Sequence, residues 1–167
     1  MTGEKVILED MLICREQRVQ IQNTFLNQYQ CPVISFCMNI PGPVKTNPDI
    51  LSAFTIGKNL LLTQLNHAGV PLLNEIEIHN KTGDEFILSA NADAELLKNL
   101  TTQIEETHPL GRLFDMDVID TDGQKLSRHT YRKCIICNHQ AQECARARKH
   151  SIEEMQTKID RILAENL

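Results

Sequence analysis

A chain of 167 residues with 41% hydrophobic and 23% charged residues has the make-up of a globular domain, long enough to bury roughly two-thirds of its unfolded surface. A net charge of −5, no Trp and only two Tyr argue against bulk nucleic-acid binding, which needs a basic face and stacking platforms. No segment reaches the ~20 apolar residues of a membrane helix, and the acidic start MTGEKVILED lacks the apolar stretch of a secretory signal, so a cytoplasmic protein without membrane contact is expected.

Residues 6–29 place Leu8, Leu12, Val19 and Leu26 near helical spacing, which predicts a long amphipathic helix with those residues inward. The β-branched run PVISFCMNI at 32–40 predicts a buried strand. Three prolines and a glycine in PGPVKTNP (41–48) exclude regular structure there. A helix over 49–67 follows, with Ile50, Phe54, Leu61 and Leu65 inward. Residues 72–79 alternate as a strand with one wet face, and Lys81-Thr82-Gly83-Asp84 turns the chain into a partner strand at 85–90. Asp93 caps a third helix over 93–107, His108-Pro109-Leu110-Gly111 ends it, and RLFDMDVI (112–119) is a fourth strand. After the turn Asp120–Gly123, the tail from about 139 to 165 is helical, in two pieces meeting near His150.

This order is β-α-β-β-α-β, which predicts an α+β fold: a ferredoxin-like or nucleotidyltransferase-like sandwich with an added N-terminal helix. The expected organisation is a single domain over 1–167, with a core at about 6–132 and a Cys/His-bearing helical extension at about 133–167.

Charge is unevenly spread. Residues 112–150 carry 8 Lys/Arg against 5 Asp/Glu, a net +3 within an acidic chain. Such a block suits a phosphorylated ligand or an acidic protein partner, or is a mixed solvated face. Within it lies the sharpest motif, Gly111-Arg112-Leu113-Phe114-Asp115-Met116-Asp117-Val118. Residues two apart in a strand share a face, so Asp115 and Asp117 project together, with Leu113 beside them. Phe114, Met116 and Val118 then face a helix. Paired carboxylates repel unless a cation joins them, and hard oxygen ligands with phosphate favour Mg²⁺; the alternative is two solvated acids at a strand end. The Asp-x-Asp pattern resembles the metal-binding strand of nucleotidyltransferases. In place of that superfamily's upstream Gly-Ser pair stands Gly111-Arg112, directly adjacent.

Arg112, Arg128 and Arg132 flank the turn and suit a polyphosphate through two-pronged hydrogen bonding, or form surface ion pairs. Lys45, at the end of the stiff Pro41–Lys45 loop, is a further phosphate candidate, though a plain connector fits equally. Arg15 and Arg18 share a helix face, either toward a ligand or toward solvent. Cys14, Cys31 and Cys37 are scattered, as buried thiols of a reducing compartment are. By contrast, Cys134-x₂-Cys137-x₆-Cys144-x₅-His150 has the ligand set of a structural Cys₃His zinc site. Its alternative is three reduced thiols under a helix.

The runs PLGRLFDMDVID, LSR and RKCIICNHQAQECARARKHS, with LICREQRVQIQ and SFCMNIPGPVK earlier, resemble the holo-citrate lyase acyl-carrier-protein synthase family. That family is also called apo-citrate lyase phosphoribosyl-dephospho-CoA transferase. The resemblance implies a donor, 2′-(5″-triphosphoribosyl)-3′-dephospho-CoA, and an acceptor serine on the acyl carrier (gamma) subunit of citrate lyase. Carried to this sequence, it implies magnesium at Asp115 and Asp117. Arg112, Arg128 and Lys45 would neutralise the triphosphate, with Arg15, Arg18 and Arg132 in support and Asp120 or Glu77 as a third carboxylate. Two rival readings remain: a non-enzymatic zinc-binding adaptor, and a nucleotidyltransferase using another donor such as ATP.

Overall fold

The computed structural model describes residues 1–167. Its elements run α1 (Leu8–Tyr29), β1 (Val33–Met38), α2 (Pro48–His67), β2 (Leu72–Asn80), β3 (Gly83–Ala90) and α3 (Ala94–Thr107). A 3₁₀ turn (Gly111–Leu113), β4 (Phe114–Ile119), α4 (Ala141–Arg146) and α5 (Ile152–Asn166) complete it. The strands form one sheet in the order β2-β3-β1-β4, with every neighbouring pair antiparallel. The α+β expectation therefore holds, and the β-α-β-β-α-β order closes as the split sandwich.

Local chemistry sets the boundaries. The Asn47 side chain accepts from the Ile50 N–H at 2.9 Å, and Pro48 opens α2 where no amide donor is needed. Lys81-Thr82 alone joins β2 to β3, since Asn80 pairs with Gly83. Asp93 precedes α3 but makes no side-chain cap.

The main core lies between one sheet face and α2, α3 and α5. Ile34 and Phe36 of β1, Phe86 and Leu88 of β3, and Phe114, Met116 and Val118 of β4 meet Ile50, Phe54, Leu61 and Leu65 of α2 there. Phe36 stacks on Phe54 at 5.0 Å and meets Phe114 edge-on at 5.5 Å. The α2 residues read as inward are all fully buried. On the opposite face α1 packs Phe25 and Leu26 against Val33, Ile87 and Ile119.

Three expectations are corrected. In α1, Leu8, Leu12 and Val19 are exposed and only Leu26 of the expected four is buried; the helix instead turns Cys14 and Arg18 toward the sheet, where both bond Glu85. A helix that covers a partly polar sheet face need not present its most apolar stripe. Strand β2 is not wet on one face only: eight of its nine residues are exposed, because it is the outer strand, which the tips of Tyr29 of α1 and Lys58 of α2 reach without covering. The fourth strand starts at Phe114, and Leu113 sits in the 3₁₀ turn, fully buried in the main core, rather than beside the aspartates.

Strand β4 lies at the other edge, yet its outer backbone groups are covered. The buried Glu105 of α3 accepts from the Met116 N–H at 2.7 Å, and Lys98 donates to the Met116 carbonyl at 3.4 Å. Past the turn, Leu126 donates to the Val118 carbonyl at 2.9 Å and Arg132 donates to the carbonyl of Phe114. Glu105 is itself held by Arg128. Side chains thus substitute for a fifth strand, and β4 is clasped along its length.

Candidate functional site

Asp115 and Asp117 lie opposite Cys37 and Ser35 of β1 on the α1 face of the sheet. The intervening Met116 is buried on the other face, so the two carboxylates share a side, at about 6.6 Å along the strand. Burial first, and the charge of Asp117 second, hold the Asp115 carboxyl above the usual range. Such a pair accommodates a bound cation by relieving its own repulsion.

Cations surround it. Lys125 donates to Asp117 at 2.8 Å, and Arg132 places Nη1 3.9 Å from Asp115 Oδ1. Arg18 reaches across from α1 to Glu85 of β3, which pairs with Cys37 of β1. Burial pushes the Cys37 thiol up to about 12, with Arg18 opposing, so the thiol is neutral beside the acids. Lys45 is half-buried and donates to the Ile40 carbonyl at 2.7 Å. Burial, then the nearby charge of Arg15, pull Lys45 below the ordinary lysine range. Of the sequence-derived cations, Arg132 and Arg18 act on Asp115, whereas Lys45 and Arg15 lie near one another and Lys45 near Cys37.

Arg128 points elsewhere. Its guanidinium binds Glu105 and Glu106 of α3 and helps clasp β4. Arg112 does not pair with an acid; with Arg132 it lines two adjoining hollows. One, of about 510 Å³, is polar and includes Arg128, Lys133 and Glu105. The other, about 840 Å³, runs between the loop at Pro41, the Cys/His segment and α5. Neither aspartate lines these two hollows; Arg132 links them to Asp115. Of the candidates for a third carboxylate, Glu77 is not brought near, since it lies on the far edge strand and pairs with Lys58 of α2. The Asp120 side chain accepts from Thr121 N–H at the turn.

Sequence reasoning missed Lys125. It sits on the exposed segment after the turn, and only the isolated bridge between Ile119 and Lys125 places it over Asp117. The turn at Asp120–Gly123 was visible, and counting the pairing back from it reaches this lysine.

The cysteine segment folds as the spacing required. Lys133 bridges Gln140, Cys134 N–H donates to the His139 carbonyl at 2.6 Å, and Asn138 takes a left-handed φ of 59° to close the loop. This knuckle turns Cys134 and Cys137 inward, toward Cys144 of α4 and His150 just before α5. One ligand atom from each of these four lies within 4.8 Å of all the others. Four donors held by bonds of about 2.3 Å would sit roughly 3.8 Å apart, so a small contraction closes a tetrahedral shell. The set is soft, with three sulfurs and one imidazole, as zinc prefers. Backbone and imidazole donors from His139 and His150 pull Cys137 down to about 5. This is the one place where three or more metal-ligating side chains assemble.

The model of the family apo-citrate lyase phosphoribosyl-dephospho-CoA transferase matches residues 6–166. The chain belongs to that family. A probable apo-citrate lyase phosphoribosyl-dephospho-CoA transferase of Streptococcus pyogenes serotype M18 is 38% identical, over 97% of this chain and 88% of its own length. The apo-citrate lyase phosphoribosyl-dephospho-CoA transferase of Citrobacter koseri is 31% identical over 97% and 91%. A probable member from Vibrio cholerae is 36% identical over 93% and 90%. The matched span of the family includes the aspartate strand, the clasp and the whole Cys/His segment. No helix of the chain is long and apolar enough to cross a membrane.

Proposed function

We propose that the chain transfers the 2′-(5″-phosphoribosyl)-3′-dephospho-CoA group from its triphosphate precursor to a serine of the apo-acyl carrier (gamma) subunit of citrate lyase. The serine oxygen bonds the α-phosphorus, the bond between that phosphorus and the bridging oxygen to the β-phosphate breaks, and pyrophosphate leaves. The hydroxyl proton passes to solvent. Membership of the family supports the transferase class, and relatives' names point to apo-citrate lyase as the acceptor. The single observation that carries the chemistry is the carboxylate pair on one strand face with Lys125 and Arg132 against it.

Asp115 and Asp117 would hold Mg²⁺, whose charge would draw electrons from the phosphoryl group under attack. Two carboxylates without a third protein ligand fit this ion, which keeps water and phosphate oxygens in its shell. Arg132 and Lys125 orient the α-phosphate and neutralise charge that grows as pyrophosphate departs. Arg18, Arg15 and Lys45 add positive potential from the α1 side, and Arg112 from the hollow. Arg128 acts by fixing Glu105 and thus β4. Cys134, Cys137, Cys144 and His150 would hold a structural Zn²⁺, with four protein ligands and no open position. Lys133, Arg146, Arg148 and Lys149 are exposed on this segment and suit an acidic carrier as its docking face. The site lies in a protein expected to work in the cytoplasm.

The test combines the protein with apo-carrier, the triphosphoribosyl donor and Mg²⁺. A carrier mass increase equal to the prosthetic group is expected. An unchanged carrier mass, or a carrier labelled only when ATP replaces the donor, overturns the proposal.

A further inference from the structure

The hollow of about 840 Å³ beside the Cys/His segment has an uneven character. Its walls are apolar: Pro41 from the loop after β1, Ile135 of the knuckle, Ala145 of α4, and Ile152 and Met155 of α5. Ile152 is 50% exposed there, although it begins a helix whose Ile159 and Leu163 are buried. Arg112, Arg132 and Arg148 also line it. Apolar walls open to water are costly unless a ligand covers them, and this volume is that of a small-molecule site. Arg132 connects the hollow to the candidate active site: it lines the one and stands 3.9 Å from Asp115 of the other.

We infer that this cleft holds the dephospho-CoA part of the donor, with its adenine and pantetheine arm on the apolar walls and its diphosphate at an arginine. The inference rests on the transferase reading and names where its substrate lies. A ligand of this class has one charged diphosphate between an uncharged nucleoside and an uncharged pantetheine arm, matching a largely apolar trough with separate guanidinium groups. The triphosphate end then extends past Arg132 toward Asp115 and Asp117. The neighbouring 510 Å³ hollow is less suited to the base and arm: one of its nine lining residues is hydrophobic, and Glu105 and Glu106 are among the rest. The Cys/His segment supplies Cys134, Cys144 and His150 to the cleft wall. A metal held by the cluster would therefore shape the substrate site without touching the reacting atoms.

Calorimetric titration with dephospho-CoA, and separately with tripolyphosphate, tests this. Dephospho-CoA should bind the wild-type chain and compete with the donor. Ala145→Trp, which fills the cleft from an exposed helix position, should weaken dephospho-CoA at least tenfold and leave tripolyphosphate within twofold. Ile152→Asp should do the same; an acid in the first turn of α5 suits the helix dipole, so this variant keeps its fold. On the unaltered chain, methyl resonances of Ile152 and Met155 should move with dephospho-CoA and stay put with tripolyphosphate. Unchanged dephospho-CoA affinity in both variants, or unmoved methyls, overturns the inference even if the carrier is modified normally. Variant-sensitive dephospho-CoA binding with no carrier mass shift supports the cleft as a nucleotide site and overturns the transferase reading instead.

Discussion

Glu105 offers the sharpest test of how the aspartate strand is held. Its side chain is 3% exposed, accepts from the Met116 N–H at 2.7 Å, and pairs with Arg128, itself only 16% exposed. Glu105→Ala strands both partners: a buried amide donor and a largely buried guanidinium. Removing one member of a buried pair costs about 3–5 kcal/mol. Arg128 keeps a contact with Glu106 at 3.4 Å, so the lower end, about 3 kcal/mol, applies here. At about 2–4 °C per kcal/mol for a chain of this size, the melting temperature should fall roughly 6–12 °C. Glu105→Gln keeps a carbonyl oxygen for Met116 and loses only the charged partner of Arg128, about 1.5 kcal/mol. Its melting temperature should drop roughly 3–6 °C. Thermal unfolding followed by circular dichroism reads both. An alanine variant melting within about 2 °C of wild type, or one indistinguishable from the glutamine variant, would refute the clasp. Because Met116 separates Asp115 from Asp117, the alanine variant should also lose carrier modification at temperatures where it remains folded.

Asp115→Asn should abolish carrier modification while raising the melting temperature at neutral pH. The folded state holds the Asp115 proton more tightly than the unfolded chain does. Its ionised form therefore costs stability above the folded-state value, and the gain should fade as pH falls through the carboxylate range; a variant melting below wild type at neutral pH contradicts this. Lys125→Ala removes an exposed partner of Asp117. It should slow transfer at least tenfold with melting unchanged within about 2 °C, and near-normal turnover would show that Lys125 does not touch the reacting phosphate. Purified protein should contain one zinc per chain, and Cys144→Ser should lose most of it and melt earlier. Zinc-free wild-type protein with all three clustered thiols freely titratable would dismiss the metal.

Much of the framework was legible because the signals were local. The alternation Phe114, Met116 and Val118 against Asp115 and Asp117 fixes which face is buried, and the Pro-rich loop, the turn at Lys81-Thr82 and the Cys-x₂-Cys spacing each act within a few residues. The clasp was not legible. Lys98 and Glu105 stand in an amphipathic helix where charged residues ordinarily face water, and only the tertiary position of β4 turns them into backbone partners. The same limit hid α1. Its apolar residues suggested one inward face, whereas the helix covers a sheet face bearing Glu85, Cys37 and the aspartates, and so turns Cys14 and Arg18 to it. Arg128 illustrates the ambiguity of a guanidinium in sequence, which looks alike whether it will meet a phosphate or a buried glutamate.

The sheathing of β4 bears on how the chain avoids clumping. An uncovered outer strand would recruit the strand of a second molecule, and the recruited partner would drag the acidic pair out of alignment. Here any intruder must first dislodge Glu105 and its guanidinium from a water-poor setting. The far border of the sheet has no such guard, so self-association, where it occurs, should begin at β2 and leave the aspartates undisturbed.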